Sequence, residues 1–552
     1  MSLINYMQRL LSGKRSAYII VLFCCLAKSI LIFFYTYTGR DKIYHLSAVY
    51  NLLHGKGWTN SFYYVESINT EILQPFCLWP PGYGMLITPF QFLFGNNFYW
   101  STALFEVLCF TAFIILCRSI LRLRGMNEVW LNISTTILGF APYDFIEASL
   151  GTDLLGLCFL LGFFYFTLRI WDSVDKANKK KLILIGASGG LCLVMSAFTR
   201  FMYAPVGLLI VFICFLTAQL QKRRTILPGI FTAFLVGAAG IMFSILAQKL
   251  HCGNPFYLGD EQQRGVYFSN LRYWHPVFLA SFIDLNLFGS LLEKITGISF
   301  IQSFRIFSWM NIIIYVMVFI GAFFFIKKYL LKKAGSFPFF TFLGFVISMS
   351  IIAELAYLSF TTAPQAASDG TKWTFLAEGR YFAFAVVFVQ LFFLSLIGSG
   401  DLKINYKKPA RYFLYVLFFL MVVNSIHQMF FTVKVAANFS EMKKNSVREQ
   451  DYVAFEELLK NTIQQNPGKE IIVAASDKYF PLLASVNKQK GIADPLTLNK
   501  MVPVVSKPSL LITVIGDSER GDYANYLGRN EARLIGKAAN KSFYLQLLQP
   551  AH

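Results

Sequence analysis

The sequence predicts a polytopic α-helical membrane protein of about eleven transmembrane helices, with a small C-terminal α/β domain outside the membrane. Three observations lead there. Hydrophobic residues make up 56% of the 552, charged residues 14%, and mean hydropathy is +0.52, a balance foreign to soluble multidomain chains of this length. Apolar runs of about 18 to 22 residues recur, each long enough to cross a hydrocarbon core of roughly 30 Å. Past residue 431 those runs stop and a charged, mixed pattern begins.

The first apolar run, 16–38, has no small-residue cleavage site at its end and reads as a retained span, not a signal peptide. Topology follows from charge. The net charge of +20 falls in short clusters between apolar runs. These are Arg9/Lys14/Arg15, Arg118/Arg122/Arg124, Lys176/Lys179/Lys180/Lys181, Lys222/Arg223/Arg224, Lys327/Lys328/Lys332/Lys333 and Lys403/Lys407/Lys408/Arg411. Basic residues concentrate in short cytoplasmic loops, so each cluster marks the inner face. The same scatter excludes nucleic acid as a partner, because no single face carries a basic stripe.

With those clusters inside, spans fall at 16–38, 98–117, 127–144, 153–171, 182–199, 202–220, 227–248, 306–326, 338–360, 381–398 and 412–431. The N-terminus is then cytoplasmic and the C-terminus outside. The apolar piece 83–95 is too short to span and is expected to lie at the interface or re-enter it. Four outer segments result: a first loop (39–97), a turn (141–152), a long aromatic loop (249–305) and the stretch 361–380. Membrane lipids are the surroundings of domain 1–431, and 432–552 forms the extracytoplasmic domain.

In that domain, residues 441–465 read as a helix with Val453, Phe455, Leu458 and Leu459 on one stripe. Glu470–Ala475, Ser509–Ile515 and Ser542–Leu547 read as strands. No phosphate-binding glycine pattern or metal-ligand cluster appears, and the expected role is structural or acceptor docking. Seven of nine cysteines lie in or beside spans and read as small core residues. Cys77 and Cys252 are expected to face outward, where they read either as free thiols or as a disulfide pair that no other sequence feature supports.

The outward polar groups are the candidates for chemistry. Asp41, just beyond the first span, reads either as an interfacial carboxylate paired with Arg40 or Lys42, or as a general base. Tyr44 and His45 follow on the same turn, and Leu78-Trp79-Pro80-Pro81-Gly82-Tyr83-Gly84 closes the loop. Asp144 and Glu147 lie in the turn before the fourth span, and Asp153 opens that span either as a helix-start carboxylate or as a site residue. Arg200 interrupts two apolar spans that nearly touch. It is either a structural partner of Asp144 or Asp153, or a guanidinium fork for a lipid-linked phosphate. Glu378, Arg380 and Tyr381 repeat that situation at the tenth span, with Lys372 nearby. Cations with carboxylates on the outer face suit transfer chemistry on a lipid phosphate.

These residues resemble the GT-C glycosyltransferases, in particular the bacterial branch of protein O-mannosyltransferases and aminoarabinose transferases. The resemblance covers about residues 16–400. Asp41, the Tyr44/Ala48/Leu52-Leu53/Gly55-Lys56-Gly57 spacing and Trp79-Pro80-Pro81-Gly82-Tyr83 look like that family's first outer loop. Phe90 to Asn97 resembles the end of its juxtamembrane segment, Thr152-Asp153 its T-D-x-L motif, and Arg380-Tyr381 its late R-Y motif. Two departures stand out: Lys42 occupies the place of a second acidic residue, and Arg200 stands where relatives often carry Lys.

The resemblance implies an inverting transfer of a sugar from a polyprenyl-phosphate donor on the outer face of a bacterial inner membrane. Asp41 is the implied base. Arg200, Arg380 and Lys372 are the implied phosphate ligands, with Tyr44, Trp79, Tyr83, Asp144, Asp153, Glu378 and Tyr381 around them. No cofactor is required, although some relatives use a divalent metal. The acceptor stays open among glycan, lipid and protein. Two rivals stand beside this: a lipid or glycan transporter, and a non-catalytic scaffold. A transporter calls for internal repeats and ionisable groups near the midplane. The sequence has no repeat, and its mid-span charges are Lys28, Glu106 and Glu354.

Overall fold

The structure, a computed structural model, describes residues 13–35, 40–77, 79–95, 97–142, 151–173, 178–220, 222–253, 276–298, 306–307, 309–310, 313, 316, 365–366, 372–373, 382–398, 408–444, 450–528, 532–538 and 540–550. The chain opens with helix α1 (Lys14–Phe34), then α2 (Arg40–Leu53), the hairpin β1 (Thr59–Phe62) and β2 (Ile72–Pro75), and α3 (Gly82–Leu93). Helices α4 (Phe98–Leu123), α5 (Glu128–Gly139), α6 (Gly151–Asp172), α7 (Lys179–Thr199), α8 (Tyr203–Leu220) and α9 (Leu227–Cys252) follow. Next come α10 (Val277–Ala280), α11 (Leu285–Thr296), the two-residue strands β3 (Gln365–Ala366) and β4 (Lys372–Trp373), α12 (Ala383–Gly398) and α13 (Lys408–Ala437).

Among the described residues, six helical stretches are long and apolar enough to cross a membrane: Arg15–Phe34, Phe98–Leu123, Gly151–Asp172, Lys179–Thr199, Arg224–Cys252 and Arg411–Ala437. Tyr203–Gln219 and Ala383–Gly398 are shorter apolar helices. Each overlaps a span expected from the sequence, while 306–326 and 338–360 lie almost wholly outside the described residues. Among the described residues of the span expected at 127–144, the helix runs over twelve, Glu128–Gly139, and the Asn127 side chain accepts from Trp130 N and starts it. Helix α3 is also twelve residues, about 18 Å, too short to cross.

The C-terminal part contains α14 (Phe439–Lys444), α15 (Gln450–Gln465), β5 (Glu470–Ala475), α16 (Tyr479–Val486), β6 (Lys490–Ile492), β7 (Ser509–Gly516), α17 (Ala524–Leu527), β8 (Arg533–Lys537) and β9 (Lys541–Leu548). Its five strands lie in the order β6-β5-β7-β9-β8. β5 runs parallel to β6 and β7, whereas β9 is antiparallel to β7 and β8. Strand alternation divides the core between two faces. Ile471, Val473 and Ile512 meet Phe455, Leu459, Phe480 and Leu483 on one face. Ile472, Ala474 and Leu511 meet Tyr523, Tyr526 and Leu548 on the other.

The chain divides into two compact units. One takes residues up to Ile32 and from Glu106 to Val433; the other takes Phe33–Phe105 and everything from Lys434. The compositional change at residue 431 therefore coincides with a return to the second unit. The first outer loop, grouped with the spans in the sequence reading, belongs to that second unit. Ile43, Tyr44, Ala48 and Tyr50 of α2, with Phe62 and Phe76, complete one face of the C-terminal sheet's core, and Val65 and Ile68 complete the other.

Candidate active site

Asp41 is the second residue of α2, so its backbone opens a helix whose remaining first turns are buried. A carboxylate there is favoured by the helix dipole. Its side chain lies outside the described residues. Lys42 is wholly buried, Tyr44 is buried in the core shared with the C-terminal sheet, and the His45 ring packs 4.8 Å from Phe76 and 5.4 Å from Tyr83. Tyr83 is fully buried and also meets Phe105 at 5.6 Å. Trp79 is half-buried against the same core.

The Trp79-Pro80-Pro81-Gly82-Tyr83-Gly84 run turns the chain into α3, with Pro81 at the cap. A Cβ on Gly84 would stand 2.6 Å from the ring of Trp58, a residue between α2 and β1, so the glycine makes room on α3 for that ring; His45 Nδ1 of α2 would be in ordinary contact at 3.4 Å. The motif that closes the first outer loop thus also packs, through Tyr83, against His45 of the helix that carries Asp41.

In the other unit, Arg200 Nε and Asp153 Oδ1 form an ion pair at 2.7 Å, with side chains 8% and 0% exposed. Asp153 stands in the first turn of α6. Arg200 ends α7 in extended backbone (φ −144°), donating its N–H to Ser196 O, and its own carbonyl accepts from Tyr203 N as α8 begins. At Gly156 a Cβ would meet Arg200 Cβ at 3.0 Å and the Tyr203 ring at 2.9 Å, so the glycine makes room for the corner. Ser196 Oγ closes the joint by donating to Gly156 O at 3.0 Å. Of the two partners considered for Arg200, the structure provides Asp153.

Of the other candidates, Asp144, Glu378, Arg380 and Tyr381 lie outside the described residues. Lys372 is placed by its backbone, paired with Ala366 in a two-residue ladder. Lys28, one of the mid-span charges, is buried and donates to Ala141 O at 3.2 Å, at the end of the α5 segment.

A third polar group escaped the sequence reading. Asp284 is buried; its Oδ1 accepts from Asn286 N (3.0 Å) and Leu287 N (3.1 Å), capping α11. Its Oδ2 accepts from Gln428 Nε2 at 3.1 Å and lies 3.6 Å from His427 Nδ1. One turn earlier on α13, Asn424 donates to Phe282 O, and Gln390 of α12 donates to Ser281 O at 3.1 Å. Asn424 and Gln428 lie roughly 20 to 26 Å along the helix from Arg411, within the apolar stretch. Non-helical backbone beside membrane helices requires such donors. The signal was present as Asn424-Ser425-Ile426-His427-Gln428 inside a span otherwise apolar.

The chain is similar to ArnT from Cupriavidus metallidurans bound to undecaprenyl phosphate, with TM-score 0.52, 11% identity, and coverage of 96% of this chain and 97% of that one. It also matches the Archaeoglobus fulgidus oligosaccharyltransferase in complex with Zn and sulfate, at TM-score 0.48 and 10% identity over 91% of this chain and 68% of that chain. No protein-family model matches the sequence. No curated protein matches it either. The ArnT likeness shows the fold: the chain is a polytopic helical membrane protein with an α/β C-terminal domain.

Proposed function

We propose that this protein is a glycosyltransferase that moves a sugar from a polyprenyl-phosphate donor to an acceptor on the extracytoplasmic face of a bacterial inner membrane. The observation that supports it most is the end-to-end match to a GT-C structure holding undecaprenyl phosphate. In this reading the N-terminus is cytoplasmic, and the unit carrying Asp41 and the C-terminal sheet is extracytoplasmic.

The chemistry is a single displacement. Asp41 takes the proton of the acceptor's hydroxyl or amine as that atom attacks the anomeric carbon. The bond from that carbon to the phosphate oxygen breaks, its electron pair leaves with the polyprenyl phosphate, and attack from the opposite side inverts the anomeric centre. Arg200, Arg380 and Lys372 hold the phosphate as its charge grows. Asp153 fixes the Arg200 guanidinium through Nε, leaving orientation to the ion pair instead of to a flexible side chain. Tyr44, Trp79 and Tyr83 shape the ground under Asp41; Asp144, Glu378 and Tyr381 complete the surroundings.

Undecaprenyl phosphate titrated into the purified protein in nanodiscs tests the donor class. The expected result is saturable stabilisation against heat that phosphatidylglycerol does not reproduce and Arg380→Gln weakens. Equal stabilisation by both lipids would contradict the proposal.

A further inference from the structure

The transfer chemistry above assigns the C-terminal domain no task. We infer that it is the positioning element for helix α2, with Gly491 and Ser485 as the residues through which it acts; the catalytic consequence rests on the proposed role of Asp41, the physical link does not. An isolated helix of fourteen residues is marginal in water, so α2 depends on what it packs against. That support is α16: Ile43, Tyr44, Ala48 and Tyr50 share one core with Tyr479, Phe480, Leu483 and Ala484.

A second tie runs through the backbone. Beyond β1, Tyr63 lies parallel to β6 as a further rung of the sheet. Its N–H donates to Gly491 O at 2.9 Å, and its carbonyl accepts from Ala493 N at 2.9 Å. Ser485 Oγ on α16 donates to Ser61 O at 3.1 Å. From β1 the tie returns to α2, because Asn51 Nδ2 donates to Thr59 O at 2.8 Å and to Ser61 Oγ at 2.9 Å.

Gly491 is where these ties meet. Its carbonyl holds Tyr63, and a Cβ there would fall 2.2 Å from Pro481 O of α16. Any side chain must push α16 from β6, disturbing both supports of α2 together. The domain thus sets where the first residues of α2, Asp41 among them, stand.

Hydrogen exchange of the full-length protein in nanodiscs tests this. In Gly491→Ala, amides of residues 40–53 are expected to exchange about tenfold faster, as a local opening would produce. Ser485→Ala, a milder change that keeps the fold, is expected to speed the same amides severalfold, with Ser485→Thr restoring them. Gly521→Ala, set in open space, is the control and leaves them unchanged. Wild-type exchange at 40–53 in both Gly491→Ala and Ser485→Ala would overturn the inference. Faster exchange at 40–53 with full sugar modification in complemented cells at matched protein levels would overturn its catalytic consequence. Asp41→Asn tests the catalytic reading separately: if it retains modification, that reading fails while the exchange data still decide the link.

Discussion

Arg200 and Asp153 meet at 2.7 Å with both side chains withdrawn from solvent, joining the first turn of α6 to the corner between α7 and α8. A buried pair is costly to break, because removing one partner strands the other's charge. Arg200→Ala is therefore expected to lose about 3–5 kcal/mol. The Arg200→Ala/Asp153→Ala double variant should lose less than the sum of the single variants. Unfolding of the four proteins in one detergent gives the coupling, and simple additivity would mean the pair is not energetically joined.

The same corner depends on Gly156. Gly156→Val must displace Arg200 Cβ or the Tyr203 ring, each at or within about 3 Å of where a Cβ would sit. Overpacking of this kind costs about 1–3 kcal/mol. A melting temperature equal to wild type would show that the corner yields freely.

Asp284 bonds two backbone N–H groups and Gln428, so Asp284→Ala removes a helix cap and leaves a buried amide donor unmet. A loss of about 1–3 kcal/mol is expected. Asp284→Asn, which keeps an acceptor for the cap, should lose less. Thermal unfolding of both variants decides it; equal losses would mean that the cap contributes nothing.

Tyrosines of the second unit set its alkaline limit. Burial, with Glu71 and Glu470 nearby, pushes Tyr63 up to about 12. Burial also pushes Tyr523 up to about 12, with Glu519, Asp494 and Asp522 adding to it against the hydrogen bond shared with Ser476. In the unfolded chain both titrate near the ordinary value of about 10. The unfolded state thus releases protons first, and stability present below pH ~10 is lost as pH rises to ~12. The melting temperature should fall over that window, less so in Tyr63→Phe. A flat profile would contradict the assignment.

The sequence made local patterns legible and non-local ones not. The three strands expected in the C-terminal domain are found as Glu470–Ala475, Ser509–Gly516 and Lys541–Leu548, because each is a run of alternating or continuous apolar residues. Lys490–Ile492 and Arg533–Lys537 are short edge strands that carry no such run. The junction of α2 with α16 joins residues more than four hundred positions apart, and Tyr44 reads equally as a site residue or as core until its neighbours are known. Arg200 was legible as a buried cation in search of a carboxylate. The Asp284 group was passed over because amides and histidine do not count as charges in a scan for mid-span ions.

The most direct test of transfer at Asp41 is comparative mass spectrometry of envelope lipids and glycans. Cells lacking the protein would carry wild type or Asp41→Asn at matched expression. Wild type is expected to restore a sugar modification that Asp41→Asn does not, with the polyprenyl-phosphate sugar accumulating in the variant. Full restoration by Asp41→Asn would contradict the account.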